Sequence, residues 1–127
     1  MAFQYGVALR NNQVSQIQTS VGGSGTLKIF SGAEPANCAA ADPTGLLATI
    51  VLPATFLTST GGVTTIAGIW SVAASGTGTA QSFRMYDGSS VCHVQGNTTT
   101  DLVLNNQSIA TGQTVTVTSF SVTAGNA

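Results

Sequence analysis

Apolar positions along this 127-residue chain follow two different periods. Over residues 3–21 they are sparse and helical: Val7, Val14, Ile17 and Val21 stand seven, three and four apart, interleaved with Arg10, Asn11, Asn12, Gln13, Gln16 and Gln18. Such spacing builds one face of a helix, and Gly22, Gly23 and Gly25 supply the residue type that ends one. Asn-Asn-Gln is a poor helix interior, so the alternative is an extended arm reaching a neighbouring subunit. Residues 1–24 therefore read as an N-terminal helix or arm with a Gly-rich linker, and residues 25–127 as a single β-sandwich domain.

From residue 26 the period drops to two, the mark of strands with two distinguishable faces. Residues 26–31 place Leu27 and Ile29 on one side and Lys28 and Phe30 on the other. Residues 33–45 follow as a long loop punctuated by Pro35, Pro43 and Gly45, unusual in length for a compact domain and hence a candidate docking surface. Residues 46–52 are apolar on both faces and predict a central strand buried on two sides. A turn is expected over residues 58–62, then a β-prone run over 63–72 carrying Ile66, Ile69, Trp70 and Val72, with Gly68 marking a bulge or a close backbone approach. Residues 73–79 read as small and flexible, and 107–113 as a loop around Gly112.

Residues 82–96 predict a hairpin turning at Asp87-Gly88. Phe83 and Met85 alternate with Arg84 and Tyr86, and Cys92 and Val94 with His93 and Gln95. Phe83, Met85, Cys92 and Val94 should therefore share the core, with Arg84, Tyr86 and His93 away from it. Residues 97–100 turn the chain into a strand with Leu102 and Leu104 inward. In the last run, over 114–123, Val115 and Val117 have one parity and Phe120 and Val122 the other. An extra residue near Thr118-Ser119 would restore a single buried face. Seven or eight short strands after one short helix give an all-β fold, an antiparallel β-sandwich of jelly-roll-like or immunoglobulin-like topology.

Composition narrows the function. Only 6 % of residues are charged, against about 25 % in ordinary soluble proteins; the polar surface must come from 19 Thr and 13 Ser with Gly and Asn. Three basic residues, Arg10, Lys28 and Arg84, cannot neutralise a run of phosphates, which disfavours nucleic acid and a polybasic membrane contact. No stretch approaches a membrane helix, and the first residues lack the pattern of a signal peptide, which predicts synthesis in a cytoplasm. A low-charge surface is a poor defence against association, as befits a chain that works packed against partners.

Candidate chemistry concentrates in the hairpin. Cys92 and His93 are a thiol and a base, but neighbours in a strand point to opposite faces, which argues against a dyad. Asp42, Asp87 and Asp101 offer carboxylates without a Gly-x-Ser-x-Gly elbow, and Glu34 is the sole glutamate. Cys38, Cys92 and His93 lack the spacing of a structural zinc site, and in a reducing compartment both thiols should be free. No catalytic, cofactor-binding or metal-ligating residue, and no cofactor, is predicted.

The run Gly25-Thr26-Leu27-Lys28-Ile29-Phe30-Ser31-Gly32-Ala33-Glu34-Pro35, with residues 45–49, 83–88 and 101–105 and the closing Thr-Val-Thr-Val-Thr-Ser-Phe-Ser-Val-Thr, resembles a family of small β-rich structural proteins of tailed bacteriophages and prophages. The N-terminal segment and Cys92-His93 depart from that pattern. The resemblance implies a capsid decoration, or cement, protein: made in the bacterial host cytoplasm, located on the virion, homo-oligomeric, and bound to the major capsid protein. The competing expectation is a tail or baseplate component, or a virion-displayed carbohydrate-binding sandwich, for which Trp70, Tyr5 and Tyr86 are the candidate stacking residues.

Overall fold

In the computed structural model, which describes residues 4–124, helix α1 (Val7–Val21) precedes eleven strands. They are β1 (Thr26–Phe30), β2 (Leu46–Val51), β3 (Leu57–Thr60), β4 (Val63–Ile66), β5 (Ser71–Ala73), β6 (Gly78–Thr79), β7 (Ser82–Tyr86), β8 (Cys92–Asn97), β9 (Leu102–Leu104), β10 (Ser108–Ile109) and β11 (Thr114–Thr123). One antiparallel sheet runs β2-β1-β7-β8. In the second, β11 pairs with β4 and β5 along successive stretches and with β9, and β3 extends it beyond β4. The inward faces of both sheets share one core, so the fold is an all-β sandwich with a short N-terminal helix. Phe56, Trp70, Phe120 and Phe83 form a chain of aromatic contacts through it, with centroids 5.8–5.9 Å apart.

The broken parity of β11 is resolved by a bulge. Val117 faces Leu104 and Ser119 faces Val103, so Thr118 is the extra residue, and Val115, Val117 and Phe120 are all buried. The run over 63–72 is likewise interrupted: β4 and β5 lie on either side of Gly68, whose φ is +75°, and Trp70 at the end of the interruption is 1 % exposed. Leu102 and Leu104 point inward as their spacing requires. The Asn97 side chain organises the following turn, its Oδ1 accepting from the backbone N–H groups of Thr99, Thr100 and Asp101.

Several expectations are corrected. β2 is an edge strand: Leu47, Ala48 and Ile50 are buried but Val51 is 74 % exposed, so an apolar run on both faces did not mean cover on both. The predicted turn over 58–62 shrinks to Gly61-Gly62, both at positive φ, which joins β3 and β4 in a two-residue hairpin. Thr58, Ser59 and Thr60 are strand. Short β6 and β10 pair within segments that read as loops, and Ile109 there is buried.

The Asn and Gln content of α1, which made its helicity questionable, is how the helix docks. Val14 and Val21 are buried and Ile17 packs beside the core, while Val7 is exposed, contrary to its place on the expected apolar face. On the same side Gln18 Oε1 accepts from Leu57 N–H at 2.8 Å, Asn11 Oδ1 accepts from Gly62 N–H at 2.7 Å, and the Ser15 and Ser59 hydroxyls are 2.8 Å apart. Arg10 donates to the Gly61 carbonyl, and a Cβ on Gly62 would collide with its guanidinium. The helix packs against β3, β4 and β8, and thereby covers the edge strands of both sheets on one side of the sandwich.

Candidate functional site

The hairpin of β7 and β8 carries the rare residues, and a one-residue shift decides where they point. Tyr86 pairs with Cys92 and Met85 with Val94, leaving His93 as an extra residue on β8. Cross-strand partners share a face. Val94 therefore lies with Phe83 and Met85 against the core, as predicted, whereas Cys92 moves to the opposite face with Arg84 and Tyr86. The expected burial of Cys92 beside Val94 is overturned by this bulge. Every residue of β7 is buried, because the outer face of the first sheet is covered as well.

The cover is the 33–45 loop. Its base is closed by Ser31 N–H donating to the Gly45 carbonyl and Gly32 N–H to the Thr44 carbonyl. Gly45, at φ +75°, could carry no side chain, since a Cβ would strike Ser31 Oγ. Arg84, 2 % exposed, reaches up into the loop: Nη1 donates to Asp42 Oδ1 at 2.8 Å, Nη2 to the Asn37 carbonyl at 3.0 Å, and Nε to Gln95 Oε1 at 3.2 Å. Gln95 in turn donates to the Pro35 carbonyl at 2.7 Å. The Tyr86 hydroxyl donates to the same Asp42 oxygen, and Lys28 Nζ stands 5.0 Å from the centre of the Tyr86 ring.

Electrostatics follow from this packing. The Tyr86 hydrogen bond, more than the Arg84 contact, holds the Asp42 carboxyl below its ordinary range against the opposing effect of burial. Burial and the neighbouring carboxylate raise the Tyr86 phenol, so it stays protonated and donating. Burial, then hydrogen bonding and charge from the adjacent Cys38 thiol, push the Cys92 thiol up to about 12.

The turn of the hairpin spans residues 87–91. Asp87 Oδ1 accepts from the Ser89 and Val91 N–H groups, and Ser90, not Gly88, takes the left-handed conformation at φ 65°. Its other oxygen, Oδ2, lies 2.9 Å from His93 Nε2, and that contact first of all lowers the Asp87 carboxyl. His93 thus faces away from the core, as predicted, but it has a carboxylate partner that sequence reasoning missed. A signal was present in the chain: an Asp at a hairpin turn and a His six positions on can meet across the turn once a bulge re-aims the latter. His93 and Val94 line a shallow cleft of about 270 Å³ with Gln13, Gln16, Ile17 and Ser20 of α1. Gln16 donates to the Ser20 hydroxyl. This arrangement holds a base and its carboxylate orienter without a nucleophile hydrogen-bonded to the base among the described residues, so two of the three parts of a hydrolytic triad are assembled.

Comparison with family models, curated proteins and solved structures found no match to this chain. The site is therefore read from its own geometry. Among the described residues no group of three or more His, Cys, Asp or Glu side chains is placed to hold a metal ion, and no helix is long and apolar enough to cross a membrane. Arg84 binds carbonyl and carboxylate oxygens beneath the loop, Arg10 donates to the Gly61 carbonyl at the surface, and Lys28 stands over Tyr86. Of the aromatics considered for stacking on a sugar, Trp70 is sealed in the core and Tyr86 is 5 % exposed beneath the loop. On the outside stands the loop itself, whose exposed residues are Ala33, Glu34, Ala36, Asn37, Ala39, Ala41, Asp42, Thr44 and Gly45.

Proposed function

We propose that the chain is a virion structural protein, a decoration protein that binds the outer surface of a phage head and strengthens contacts between major capsid subunits. The observation that carries this reading is the 33–45 loop, an alanine-rich surface pinned to a rigid sheet by a buried arginine. Binding costs affinity wherever side chains and loops must be ordered. Alanine has almost no side-chain entropy to lose, and this loop is ordered before any partner arrives, so its surface converts contact into affinity with little opposing cost. The scarcity of charge acts in the same direction, since few ions need be stripped of water in an interface. The sequence resemblance to phage structural proteins supplies the partner. Repetition around a shell multiplies a modest contact, so each copy needs only an interface of about standard size, roughly 1,600 Å² in total.

The test is addition of purified chain to expanded, undecorated heads. Saturable binding with a raised rupture temperature is expected, and Ala36→Glu with Ala39→Glu should weaken binding by about tenfold or more, about 1.4 kcal/mol per site, while leaving the melting temperature of the free chain unchanged. Absence of binding with an unchanged rupture temperature would remove the proposal.

A further inference from the structure

The two thiols of the chain, Cys38 and Cys92, have no part in this reading. They are far apart in sequence and are brought to one face of the first sheet for two independent reasons. The β8 bulge turns Cys92 onto the outer face of the first sheet, opposite Tyr86. The loop is drawn down onto that same face at residues flanking Cys38: Arg84 holds the Asn37 carbonyl and the Asp42 carboxylate, and Gln95 holds the Pro35 carbonyl. Cys38 follows Asn37 directly, which places it over the face that carries Arg84, Tyr86 and Cys92, near enough for its thiol to raise that of Cys92. Both are free thiols, and neither is sealed from solvent.

We infer that Cys38 and Cys92 form an intrachain disulfide when the folded chain meets a low-molecular-weight disulfide such as oxidised glutathione, locking the 33–45 loop covalently to the hairpin. The thiolate of Cys38 attacks one sulfur of the oxidant, giving a mixed disulfide and releasing one glutathione thiolate, which takes up a proton. Cys92 then gives up its proton and attacks the Cys38 sulfur, expelling the second glutathione. Two protein thiols are oxidised, one glutathione disulfide is reduced to two thiols, and both protein protons end on the glutathione. Burial and its neighbour hold the proton on Cys92, so Cys38 makes the first attack, and the part of that hold due to the Cys38 thiol is relieved once Cys38 is in the mixed disulfide. The hydrogen bonds that fix the loop hold Cys38 over the face that carries Cys92 in the reduced state, so the latch closes on a loop already in place. It does not depend on the virion reading, and its test needs no capsid.

Purified chain is equilibrated in glutathione buffers of graded ratio, folded and in urea, quenched by alkylation and mapped by peptide mass spectrometry. The folded chain should show a single Cys38–Cys92 cross-link, with an equilibrium constant more than about a hundredfold above that in urea, as the coupling between a long-range cross-link and folding requires. Its melting temperature should rise by roughly 5–15 °C on oxidation. Cys38→Ser and Cys92→Ser should each leave a glutathione adduct on the remaining thiol and no such rise. Mixed disulfides on both cysteines of the folded wild-type chain, cross-links between chains, or an equilibrium constant no larger than in urea would overturn the inference, and none of these readings depends on how well a variant folds.

Discussion

Arg84 holds the outer layer of the molecule together. A buried guanidinium is tolerable only with its charge and its donors satisfied, and Asp42, Asn37 and Gln95 do this from two different segments of the chain. Arg84→Ala removes a packed stem as well as three hydrogen bonds and is expected to lower stability by about 2–4 kcal/mol, read from urea unfolding midpoints. Asp42→Ala should cost less, about 1–2 kcal/mol, because its side chain is 47 % exposed and its charge is screened. Since the folded Asp42 carboxyl lies below its ordinary 3.8, its contribution is present above that pH and is lost as pH falls through the lower folded value. Tyr86 works in the opposite sense: raised above its ordinary 10.0, it contributes below that pH and loses its contribution as pH rises toward the folded value. A pH series of unfolding midpoints should therefore fall at both ends, and Asp42→Asn should flatten the acid limb.

At the scale of elements, the bulges decide which residues are inside. Deleting Thr118 would force the apolar residues on one side of it outward, and exposing Phe120 alone is expected to cost about 3–5 kcal/mol; a shallow or absent unfolding transition in circular dichroism would register it. That bulge was legible because two pairs of apolar residues of opposite parity stood in one uninterrupted strand. The one at His93 was not, because Cys92 is small, ambivalent in polarity and equally at home on either face. The hairpin and the Asn97 turn were likewise readable from residue type, whereas Gly68, expected to mark a bulge or a close backbone approach within one run, lies in a break between two strands with the Pro53 side chain beside it. The edge position of β2 was hidden, since periodicity reports how apolar a face is and says nothing about what covers it. The same limit hid β3, whose Thr-Ser-Thr resembled a turn, and the docking of α1, which uses amide side chains on an edge strand where hydrophobic spacing alone was sought. Asp87 and His93 came together through a turn one residue longer in effect than Asp-Gly implied.

On the scale of the whole molecule, a sandwich is capped by a helix along one side and, on one face, by a loop pinned through Arg84 and Gln95. The Asp87–His93 contact braces the hairpin turn. The central claim concerns location, and an image of intact particles at a resolution sufficient to place this sandwich tests it most directly. The chain is expected at regularly repeated positions on the outer surface of the head, with residues 33–45 against the major capsid protein. Density for it at the tail or baseplate, or none on the particle, would contradict that claim.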